Sequence, residues 1–96
     1  MRRESVLAIL EERLPSLAEQ YSIKSLYLFG STARDEANPD SDVDFLVRLA
    51  QPTFERYIGL KHSLEDLLGC KVDLVSAKKV PAELRPHLEA DVLQLI

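Results

Sequence analysis

The stretch "FGSTARDEANPDSDVDF", residues 29–45, decides the reading of this chain. It sets a glycine-serine pair at the end of an apolar run. After ten intervening residues come two aspartates separated by one valine. Residues two apart on a strand point to the same side, so "DVDFLVRL" from Asp42 reads as a strand. Val43, Phe45 and Val47 share one face of it, and Asp42, Asp44 and Leu46 the other. The run before the glycine, "IKSLYLF" at 23–29, is rich in branched and aromatic residues and too short for a helix bounded by Gly30, which makes it a buried strand. A helical turn is expected over 31–35, and "ANPDS" is a loop by composition, with Asn38-Pro39 favouring a turn.

Working outward, Val6, Leu7, Leu10, Leu14, Leu17 and Tyr21 recur at spacings of three and four, a helical stripe with charged residues opposite. Pro15 lacks a backbone donor and clashes with the preceding turn. The pattern therefore predicts two helices, about 3–13 and a short second one with Pro15 near its first position. From Thr53 to Leu68 the apolar residues Phe54, Tyr57, Ile58, Leu60, Leu64, Leu67 and Leu68 keep a helix period, with Thr53 as N-cap and Gly69 as a left-handed stop. "CKVDLVS", 70–76, reads as a third strand, with Val72 and Leu74 on one side and Asp73 on the other. A last helix is expected from Pro81, carrying Leu84, Leu88 and Val92, with Pro86 interrupting it. Strands alternating with helices imply an α/β (α+β) fold, a small mixed sheet covered by helices.

The 96 residues, 46% hydrophobic and 29% charged, suit one folded domain spanning 1–96. The net charge of -4 argues against binding nucleic acid through bulk charge, and Arg2 and Arg3 do not make a basic patch. The single cysteine, Cys70, has no metal-ligand neighbourhood and is read as structural, in a reducing, cytoplasmic setting. No apolar run approaches the roughly 18 residues of a membrane span, and the amino terminus lacks the pattern of a signal peptide. His62 and His87 lie without metal-ligand spacing, and Tyr21, Tyr27 and Tyr57 fall on apolar stripes.

Asp73 on a neighbouring strand can join Asp42 and Asp44. At an effective dielectric near 20, two such charges about 4 Å apart repel by about 4 kcal/mol, which a divalent cation would remove. Oxygen-only ligands with open positions suit Mg²⁺ or Mn²⁺, and Mg²⁺ is commonly shared between carboxylates and substrate phosphates. Gly30 allows close backbone approach, and the turn it opens directs N–H groups at a phosphate, with the Ser31 hydroxyl beside them. Arg34 either supports that phosphate loop or pairs with Glu36 or Asp40. Ser41 either caps the loop or touches a phosphate. Together these parts fit phosphoryl or nucleotidyl transfer. A calcium loop starting at Asp40 fails, because its sixth position is Phe45 where glycine is needed and its twelfth is Gln51 where glutamate is needed.

"FGS" at 29–31, ten intervening residues, "DVDF" at 42–45 and "VDL" at 72–74 resemble the signature of the polymerase-beta-like nucleotidyltransferase superfamily. Within it the chain is similar to the minimal nucleotidyltransferases (MNT), antitoxins found beside HEPN-domain toxins. The resemblance covers nearly the whole chain. It implies metal ligation by Asp42 and Asp44, with Asp73 as a third ligand or as base for the acceptor hydroxyl, and triphosphate contacts from Gly30 and Ser31. It also implies Mg²⁺, ATP as donor, and transfer of AMP to a tyrosine of a partner HEPN toxin, in a hetero-oligomer or a homo-oligomer, with no membrane and no direct nucleic-acid partner. Asp35 departs from the pattern, since the family often has glycine after the arginine; aspartate tolerates a left-handed conformation better than most residues. Two rivals remain: an antitoxin that only binds and occludes its partner, and a free-standing transferase acting on RNA or a small molecule.

Overall fold

The computed structural model describes residues 2–33, 42–77 and 92–96. Along the chain lie α1 (Arg3–Glu11), α2 (Leu14–Tyr21), β1 (Ile23–Phe29), α3 (Gly30–Ala33), β2 (Val43–Leu49), α4 (Phe54–Leu68), β3 (Val72–Ser76) and β4 (Leu93–Gln94). The strands form one mixed sheet in the order β3-β2-β1-β4. β1 runs antiparallel to β2 and to β4, while β2 and β3 are parallel. The expected small mixed sheet with helices is what forms.

Local chemistry explains the boundaries. Pro15 occupies the first turn of α2, where its missing N–H leaves no bond unmade, and Glu12 and Arg13 form the break before it. Ser22 ends α2 in the left-handed region, φ 54°, with its N–H donating to the Ala18 carbonyl. The longest helix, α4, starts at Thr53, whose hydroxyl accepts from the Arg56 N–H at 3.2 Å, and stops at left-handed Gly69.

One sheet face carries the core. Leu26 and Leu28 of β1, Val43, Phe45 and Val47 of β2, and Val72 and Leu74 of β3 are buried in a cluster with Val6, Leu10, Leu17, Tyr21, Leu60, Leu64 and Leu68 from the helices. The alternation in β2 thus follows the pleat, with Asp44 and Leu46 on the opposite face, half-buried. Tyr21 ties α2 to α4: its hydroxyl donates to the Gly59 carbonyl at 3.2 Å and lies 2.6 Å from the Ser63 hydroxyl. Such a buried hydroxyl needs a partner, and here it has three, since the Gln20 side-chain amide also donates to it at 3.4 Å.

Two expectations are corrected. Phe54, placed on the apolar stripe of α4, is 80% exposed: it is the first residue of that helix, whose buried residues, Leu60, Leu64 and Leu68, begin nearly two turns further on. Val92 belongs to no helix; Leu93–Gln94 instead pairs with Tyr27 and Leu28 at the edge of β1, and the Leu95 N–H continues the pairing to the Leu26 carbonyl at 2.7 Å. The sheet gains a protected edge by this closure. The helix expected from Pro81, the loop "ANPDS" and His87 lie outside the described residues. No helix among the described residues is long and apolar enough to cross a membrane.

Candidate active site

The site begins with registry. Antiparallel pairing of β1 with β2 sets Phe29 opposite Asp44, and parallel pairing of β2 with β3 sets Asp44 opposite Asp73. The three residues form one row across three strands, with side chains on the face away from the core. Adjacent strands lie about 4.8 Å apart, so Asp44 and Asp73 are direct cross-strand neighbours. Asp42 stands two residues before Asp44, on the same side, at the amino end of β2, where the Val43 N–H donates to the Lys71 carbonyl at 3.1 Å. Asp44 is half-buried; Asp42 and Asp73 are exposed.

Gly30, which follows β1 and opens α3, completes the row. Its φ is +74°, a conformation that L side chains rarely adopt, and a Cβ there would lie 3.3 Å from the Asp44 carboxylate carbon and nearer still to Oδ2. Two independent constraints therefore require glycine: backbone conformation and space against a carboxylate. The sequence reading assigned Gly30 a close approach to a phosphate; the structure adds that it lies against Asp44. Ser31 follows as the second residue of α3. Arg34 and Ser41 lie outside the described residues.

Among the described residues no group of three or more His, Cys, Asp or Glu stands assembled to hold a metal ion. The donor chemistry nevertheless fits a hard cation: all the ligating atoms would be carboxylate oxygens, and backbone registry leaves their convergence to side-chain rotation at exposed Asp42 and Asp73. The negative field of this end of the sheet reaches its neighbours. Burial raises the Cys70 thiol pKa, and the charges of Asp42 and Glu65 add to the rise. Burial likewise raises that of Tyr57, the charge of Asp73 adds to it, and a hydrogen bond from the Ser76 backbone opposes it. Cys70, read as structural, is half-buried and free of disulfide.

Two residues near the site had no signal in the sequence. Arg3 of α1 donates through Nη1 to the Ala33 carbonyl at 3.2 Å, a contact across 30 residues that no local pattern encodes. Thr32 is 1% exposed, and its Oγ1 is buried with no hydrogen-bond partner among the described residues.

Known proteins share this fold. The profile of the family described as "Nucleotidyltransferase domain" matches residues 7–94. The protein adenylyltransferase MntA of Thermococcus cleftensis is 41% identical over 73 residues, 75% of this chain and 74% of that protein. A solved structure of a candidate minimal nucleotidyltransferase superposes with a TM-score of 0.83 at 35% identity, covering 97% of this chain and 95% of the other. The MNT antitoxin fold, seen in a complex with the tri-AMPylated HEPN toxin of Shewanella oneidensis, matches with a TM-score of 0.63 at 24% identity over 90% of this chain and 68% of that one. The glycine at the end of β1, the paired aspartates opening β2 and the carboxylate of β3 thus occur in a chain that belongs to the nucleotidyltransferase domain family, in its minimal form.

Proposed function

We propose that this nucleotidyltransferase transfers AMP from ATP, with Mg²⁺, to a tyrosine hydroxyl of a partner HEPN toxin and so acts as its antitoxin. The observation that carries the reading is the row in which Asp44 lies between Gly30 and Asp73, with Asp42 on the same side. Two similarities support it: a relative named as a protein adenylyltransferase, and a shared fold with an antitoxin bound to an AMPylated toxin.

In this reading Asp42 and Asp44 hold Mg²⁺, with Asp73 as third ligand or as base. The ion supplies charge neutralisation on the triphosphate and on the departing pyrophosphate. Gly30 and Ser31 seat the triphosphate through backbone N–H groups, and Arg34 and Ser41, which follow them in sequence, are assigned further contacts to it. As base, Asp73 accepts the phenolic proton while the tyrosine oxygen bonds to the α-phosphorus and the bond to pyrophosphate breaks. Its exposure on an outer strand leaves room for an acceptor carried by another protein.

The test is to incubate the protein, ATP and Mg²⁺ with a HEPN-domain protein encoded beside it and weigh the partner by intact mass spectrometry. AMP additions with wild type, absent with the Asp42→Asn/Asp44→Asn variant, are expected. Equal addition by that variant would overturn the site assignment. A tight complex that blocks the partner without any addition would replace transfer by occlusion.

A further inference from the structure

We infer that Arg3 is a positioning residue for the triphosphate turn, holding α3 at its carboxyl end while Gly30 fixes its amino end. The inference rests on the proposed function for the ligand of that turn.

Arg3 is the first residue of α1, where the helix dipole disfavours a cation. Its placement is explained by what it reaches. The guanidinium spans to α3 and donates to the carbonyl of Ala33, the last residue of that helix, where a cation is favoured. α3 is a single turn of four residues, too short to persist on its own hydrogen bonds. Its shape is imposed from both ends. At the start, Gly30 lies so close to Asp44 that even a methyl group does not fit. At the end, Arg3 ties Ala33 to α1, which is itself rooted in the core by Val6 and Leu10, both wholly buried.

Between these anchors Thr32 and Ala33 pack inward. The turn is therefore a rigid bracket, not a hinge, and the direction of the Gly30 and Ser31 N–H groups follows from it. Loosening one anchor tilts those donors away from a phosphate. The charged, partly buried hydrogen bond is of the stronger class, and its loss costs more than that of a surface contact.

The experiment compares wild type with Arg3→Met, Arg3→Lys and, as a control on an exposed arginine outside the site, Arg13→Met. Calorimetry with Mg²⁺ and a non-hydrolysable ATP analogue reads affinity, hydrogen exchange without nucleotide reads the peptide spanning 30–33, and melting reads the fold. Arg3→Met is expected to bind the analogue about tenfold more weakly, with faster exchange at 30–33 and an unchanged KM for the acceptor protein. Arg3→Lys, which keeps a charged donor, is expected to recover most of the loss, and Arg13→Met to match wild type. Wild-type affinity and exchange in Arg3→Met would overturn the inference alone. So would equal losses in the Met and Lys variants that follow only their melting temperatures. Wild type failing to bind the analogue would remove the proposed function and the inference together.

Discussion

Gly30 meets a carboxylate where Gly69 meets open space. At Gly69, also left-handed, a Cβ would touch nothing within 4 Å, whereas at Gly30 it would collide with Asp44. Gly30→Ala should therefore cost about 2 kcal/mol of stability from the backbone alone. It should also lower transfer about a hundredfold, because it would displace Asp44, a metal ligand in the proposed reaction. Chemical denaturation and the intact-mass assay read the two effects separately. Thr32 makes the opposite case. Its buried hydroxyl has no partner among the described residues, and Thr32→Val keeps the branched shape while removing the unsatisfied oxygen. That variant should gain about 1 kcal/mol, read as a higher denaturation midpoint at an unchanged slope.

Elements with local punctuation were legible in the sequence. Pro15 separated α1 from α2, Thr53 and Gly69 bounded α4, and the alternation of Val43, Phe45 and Val47 against Asp44 and Leu46 identified β2 and its faces. Asp42 and Asp44 are legible because a short strand rarely carries two carboxylates on one side, and Asp73 because a neighbouring strand can bring it to them. β4 was not legible: two residues carry no period, and only the backbone of β1 defines them. Arg3 was illegible for the same reason, since its partner is distant in sequence. The contact of α4 with the end of β3 yields a pH prediction. Tyr57 has a raised pKa, chiefly from burial and then from Asp73, so its phenol is more readily ionised in the unfolded chain. Its contribution is complete below the unfolded value near 10 and is lost as pH rises through the higher folded value. Between wild type and Tyr57→Phe, stability curves should diverge only in the alkaline range, with wild type falling more steeply; parallel curves would contradict the assignment.

At the scale of the whole molecule, the acidic end of the sheet links ligand to fold. A cation that binds the native row and not the unfolded chain raises stability by mass action, about 2.7 kcal/mol at a hundredfold excess over its dissociation constant. Mg²⁺ with the ATP analogue should raise the wild-type melting temperature, and a chelator should reverse the rise. Asp42→Asn/Asp44→Asn should show no rise with Mg²⁺ over its own apo melting temperature. A shift in the variant equal to wild type would place the cation elsewhere. The parallel pairing of β2 with β3 has one more consequence. A chain leaving the end of β2 must travel back its full length before β3 can begin beside it. β2 has seven residues, about 23 Å of strand, and α4 has fifteen, about 22 Å of helix. The helix is a ruler cut to the strand. Removing one turn would shorten it by about 5 Å and carry Asp73 past Asp44 by more than a residue, so α4 can exchange side chains on its outer face but not alter its count without unmaking the row.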